Sequence, residues 1–122
     1  MRLIILGFCL SFVGGAALAD DCDTTMAQQE MNRCADLAFQ AADDELNDAY
    51  ADAVAFARDV GGEAEDKLRV AQRAWVTFRD AACDAEAYPN EGGSIQPMVY
   101  SYCLARLTEQ RRADLIAFSA TY

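Results

Sequence analysis

The chain has 122 residues, 53% hydrophobic and 25% charged, with 20 acidic against 10 basic side chains, no histidine and a formal net charge of −10. That length allows one domain with one modest core. The acidity argues against nucleic acid and anionic lipid as partners and favours encounter with a basic protein.

The N-terminal stretch "MRLIILGFCLSFVGGAALA" carries one Arg, an apolar run and small residues ending in Ala17-Leu18-Ala19. This pattern predicts a signal peptide over 1–19, with the exported chain beginning at Asp20. The apolar run is broken by Gly7, Gly14 and Gly15, and acidic residues follow it where a stop-transfer flank would be basic. It therefore predicts no membrane anchor. A lipid anchor would need Cys directly after the small residues, and Asp20 and Asp21 stand there. Cleavage removes Arg2 and Cys9 and leaves Cys22, Cys34, Cys83 and Cys103. An even cysteine count in a small exported chain reads as two disulfides, in a periplasmic or secreted protein. With no CxxC spacing and no His, a zinc site is not expected, and no cofactor is called for.

Gly61-Gly62, then Pro89 with Gly92-Gly93, then Pro97 cut the remainder into three segments. In the first, Thr25 and Gln28 form a candidate capping box. Met31, Ala35, Ala38, Ala42, Leu46, Ala49, Ala53 and Phe56 then recur at steps of three and four, predicting a helix over 25–59. The second opens with Glu63, Glu65 and Asp66, matched to the helix dipole, and repeats with Leu68, Ala71, Trp75, Phe78 and Ala82 over 63–87. The third follows "YPNEGGSIQP" and carries Met98, Tyr102, Leu104, Leu107, Leu115 and Phe118. Nothing alternates with period two, so the predicted fold is all-α, a small antiparallel three-helix bundle with two disulfides. Trp75, Phe78 and Cys83 are expected in its core.

If the first two helices turn at Gly61-Gly62, equal rise per residue sets Arg79 level with Asp43, Trp75 with Asn47, and Gln72 with Tyr50. An Arg beside an aromatic seam needs an acceptor, so Arg79 is expected to meet Asp43, with Asp80 as the substitute. Arg111, flanking the leucines of the third helix, is expected to find a carboxylate or a helix-end carbonyl. Asp43, Asn47, Gln72, Arg79, Asp80 and Arg111 thus read as a structural polar network.

A turn centred near residue 91 brings Cys83 close to the height of Cys103, which favours that pairing and leaves Cys22 for Cys34. A helix starting near Thr25 would hold Cys34 more than ~13 Å along its axis, against ~5.5 Å between bonded Cα atoms. Either the N-terminal segment folds back along the helix, the helix breaks near Asn32, or the pairing crosses.

Acid pairs such as Asp44 with Asp48 and Asp48 with Asp52 lie at i,i+4, but a run as acidic as "DDELNDAYAD" reads as a solvated face. No Asp-rich loop has calcium spacing, and no His, G-x-S-x-G or phosphate-cradling Gly loop is present. No catalytic residue and no metal ligand is assigned, and the chain reads as a non-enzymatic binding or structural protein.

The strings "CDTTMAQQEMNRCA", "ADDELNDAY", "KLRVAQRAWVTFRDAAC", "GGS" and "CLARLTEQRRADL" resemble, in order and spacing, the lysozyme inhibitor LprI-like N-terminal domain family. The resemblance spans Cys22 to about Leu115. It implies an exported helical domain with paired cysteines and, through the member that names the family, inhibition of lysozyme. This chain lacks the lipid-anchoring Cys of that member, so attachment to the cell surface is not carried over. Lysozymes of the animal type are basic, with a carboxylate pair in the cleft, so an acidic chain would be steered to them. The candidate partner-binding loop carries Tyr88, Asn90, Glu91 and Ser94. The same residues fit a plainer role in which Pro89 stops one helix, Gly92-Gly93 turns the chain and Ser94 caps the next. The expected partner is a basic lysozyme or, alternatively, another envelope protein for which lysozyme is irrelevant.

Overall fold

The computed structural model describes residues 22–120; the predicted signal peptide and its cleavage point lie outside them. Three long helices, α1 (Gln28–Val60), α2 (Ala64–Ala87) and α3 (Gln96–Ser119), build the fold. A helical turn at 22–24 precedes α1, and a 3-10 turn, Tyr88–Asn90, follows α2. The all-α expectation holds, but these two extra turns make the chain more than a plain three-helix bundle. None of the described helices is long and apolar enough to cross a membrane.

α1 begins at Gln28, not Thr25, and the expected capping box does not form. Ala27 occupies the cap position without a side-chain bond, and the Thr25 hydroxyl accepts only the Ala27 N–H at 3.4 Å. Gln28 is drawn away: its amide donates to Asn32 at 2.8 Å and to the Met98 sulfur at 3.7 Å. Because Thr25–Ala27 leaves the helix, the turn at 22–24 folds back along α1, and Cys22 bonds Cys34 across a Cα separation of 5.6 Å. α1 ends where Gly61 and Gly62 take φ of +79° and +59°, conformations open to glycine at no steric cost.

α1 and α3 run in the same direction. Asn32 lies against Ser94 at one end and Phe56 against Phe118 at the other, the rings edge to face at 5.3 Å. Their contact is the most extensive in the molecule, because the facing positions are small: Ala42, Ala49, Ala53 and Ala57 on α1, Ala105 and Thr108 on α3, all buried. α2 runs antiparallel to both and is held by a narrow stripe, with only Leu68, Cys83 and Ala87 fully buried and Trp75 partly so. Phe78 is therefore not in the core. It follows Trp75 by three residues, which rotates it about 60° around the helix toward solvent, and it is 61% exposed.

Candidate functional site

The segment joining α2 to α3 is supported at both feet. At its base Cys83 and Cys103, buried among Phe39, Leu104 and Leu107, form the second disulfide with Cα atoms 5.5 Å apart. α2 passes directly into the Tyr88–Asn90 turn, closed by the Glu91 N–H to the Tyr88 carbonyl at 2.9 Å, and a second turn follows as Gly93 N–H donates to Asn90 at 2.9 Å. Gly92 sits at φ +77°, and a Cβ on Gly93 would come 3.1 Å from the Asn90 carbonyl. The left-handed backbone at Gly92 thus favours glycine, and a side chain at Gly93 would press on the Asn90 carbonyl. On the far side Asn32 of α1 donates its side-chain amide to the Ser94 carbonyl at 2.9 Å, with Gln28 fixing the orientation of that amide.

Of the four candidate loop residues, Tyr88 and Glu91 point to solvent, Ser94 is exposed and Asn90 is half-buried. Ser94 does not cap α3: Ile95 holds that position without a side-chain bond, and Pro97 occupies the first turn where its missing N–H costs nothing. Nearby, burial first and then the carboxylates of Asp80 and Asp84 push the Tyr100 phenol above its usual range.

The expected polar network divides. Arg79 is enclosed, its side chain 11% exposed, with Asp43 at 3.6 Å across the α1–α2 interface and Asp80 at 2.9 Å. Its guanidinium lies 5.2 Å from the ring centres of both Phe39 and Trp75. Asp80 is a neighbour on the same helix, so it orients Arg79 and does not bridge helices. Among the described residues Arg111 meets no carboxylate. It donates to the Gln72 side-chain oxygen at 2.9 Å, tying α3 to α2. Gln72 is turned toward α3 and not toward Tyr50, and Asn47 is exposed, since it lies one position past the buried Leu46.

Sequence reasoning took Glu65 for a dipole residue only. In the structure it accepts from Arg58 at 2.9 and 3.0 Å and from Arg69 at 3.0 and 2.6 Å, clasping α1 to α2 beside their turn. Those donors, Arg58 foremost, hold its carboxyl down at about 2. It also overlooked Asn32; the signal was the Gln28–Asn32 spacing of four, a side-chain pair on one helix face.

The sequence profile described as Lysozyme inhibitor LprI matches residues 19–115. An uncharacterised protein of Rhizobium meliloti (strain 1021) is 39% identical over 105 residues, covering 78% of this chain and 76% of the relative. Among solved structures, a DUF1311 family protein from Pseudomonas putida KT2440 superposes with a TM-score of 0.71 at 24% identity, covering 77% of this chain and 95% of that one. That likeness speaks to the fold. The profile match, spanning α1, α2, the stapled loop and most of α3, shows that the chain belongs to the family described as Lysozyme inhibitor LprI.

Proposed function

We propose that this protein is exported and inhibits a basic lysozyme, with the segment from Tyr88 to Ser94 as the blocking element. The observation that carries this reading is the segment's double support, the Cys83–Cys103 bridge at its base and the Asn32 amide on Ser94. A loop ordered before it binds loses little conformational entropy on entering a cleft. Tyr88, 66% exposed, supplies broad apolar contact with few torsions to freeze. Asn90 and the Ser94 hydroxyl supply donors for cleft carboxylates, and Glu91 meets cationic groups at the rim. Inhibition on this reading is occupancy, with no covalent step.

The test titrates the oxidised protein into a lysozyme lysis assay at low and physiological salt, beside a variant carrying Asn90→Ala, Glu91→Ala and Ser94→Ala. Loss of inhibition in the variant supports the loop. Retention moves the blocking surface to the acidic face of α1. No inhibition at either salt withdraws lysozyme as the target in favour of another envelope partner.

A further inference from the structure

A hollow of about 430 Å³ opens between the N-terminal part of α2 and the C-terminal part of α3, within the size range of small-molecule sites. Leu68 and Leu115, both buried, form its floor, and Ala64, Ala71 and Phe118 wall it. Residues 64 to 71 rise about 10 Å along α2, which sets the length of the slot. Its apolar lining would leave the polar groups of a sugar or a peptide backbone unpaired, at a cost that an alkyl chain does not meet.

The charges at the rim name the other end of the occupant. Lys67, Arg111 and Asp114 border the hollow. Lys67 is exposed and already paired with Glu63 at 3.2 Å. Arg111 differs from the other half-buried arginines of the described residues: Arg33, Arg69, Arg79 and Arg112 each have a carboxylate oxygen within 3.3 Å, and Arg111 has none. Its Nε donates to the Gln72 side-chain oxygen at 2.9 Å. That bond orients the guanidinium and leaves its two terminal nitrogens, a fork matched to a carboxylate, without a hydrogen-bond partner among the described residues. Asp114, one helical turn further on, is exposed and forms no ion pair among the described residues, so it does not neutralise Arg111. We propose that the hollow binds a medium-chain alkyl carboxylate, its tail lying along Leu68 and Leu115 and its headgroup on the terminal nitrogens of Arg111. The hollow lies at the end of α2 opposite the Tyr88–Ser94 segment, so the inference does not depend on lysozyme being the target.

Octanoate titrated into the exported, oxidised protein, followed by NMR, tests it. Saturable shifts of the Leu68, Leu115 and Phe118 signals with a Kd below about 1 mM are expected; no shift up to about 10 mM overturns the proposal. Octanol, with the same tail and no charge, should bind at least about tenfold more weakly, and equal affinity overturns it. Arg111→Gln should weaken octanoate at least about tenfold and leave octanol unchanged. If it weakens both alike, Arg111 only shapes the hollow and the carboxylate assignment falls. Asp114→Asn should tighten octanoate about twofold by removing a like charge from the rim, and weaker binding in that variant counts against the headgroup position. Ala71→Phe, at an exposed helical position that tolerates a larger side chain, should fill the slot and abolish binding of both probes; retained affinity places the ligand elsewhere and overturns the proposal.

Discussion

Arg79 is held less by its ion pairs than by the surfaces around it. Asp43 and Asp80 are 40% and 49% exposed, so water screens both partners, whereas the guanidinium is sandwiched near Phe39 and Trp75. Arg79→Ala should therefore cost roughly 2–3 kcal/mol, while Asp43→Asn should cost under about 1 kcal/mol. Urea unfolding midpoints at unchanged slope would show the contrast, and equal losses would put the energy in the ion pair instead. Thr108 is the opposite case: it is fully buried, and its hydroxyl has no hydrogen-bond partner among the described residues. Thr108→Val keeps the shape and removes the unpaired group, so the fold should gain roughly 1 kcal/mol in the same assay. Glu65 supplies a pH signature. Its carboxyl is depressed from 4.5 to about 2 by the bonds from Arg58 and then Arg69, so its stabilisation is complete above pH 4.5 and is lost as pH falls toward 2. Thermal midpoints of Glu65→Gln should accordingly decline less than those of the parent across that interval.

Among the elements, the two disulfides differ in what they restrain. Chain entropy alone separates them little, since they close loops with sequence separations of 12 and 20, worth roughly 3 kcal/mol each. Cys83 and Cys103, however, sit in the core at the junction of α2 and α3, whereas Cys22 belongs to a peripheral turn and is only half-buried. Replacing Cys83 and Cys103 by Ala should cost roughly 3–5 kcal/mol, and replacing Cys22 and Cys34 roughly 1–3 kcal/mol, read as shifts in thermal midpoint. The bounds of α2 were legible because breakers flank it, Gly61-Gly62 before and Pro89 after. The start of α1 was not, because a cap pattern at Thr25 loses to a contact between Gln28 and Met98, 70 residues apart. Phe78 shows the same limit. Helical period groups it with Trp75, but how wide a sector of α2 is covered depends on how closely α3 lies on α1. At the candidate site the turn chemistry of Pro89 and Gly92 was readable, while the Asn32 support of Ser94 joins residues 62 apart and leaves no local signal.

At the scale of the whole molecule, a formal charge of −10 on a single small domain acts in two directions. Within the fold the carboxylates of α1 repel one another, Glu45, Asp48 and Asp52 lying together beside Arg112. Toward a basic partner the same charge accelerates encounter. Salt screens both effects, so it should raise the thermal midpoint of the free protein while lowering its association rate with a basic lysozyme. Replacing Asn90, Glu91 and Ser94 removes one charge of ten, so the variant should keep nearly the same salt dependence of association and lose affinity through faster dissociation. Surface-binding kinetics at several salt concentrations separate the two. A variant whose association slows while its dissociation is unchanged would mean that Glu91 guides approach and that some other surface holds the complex together.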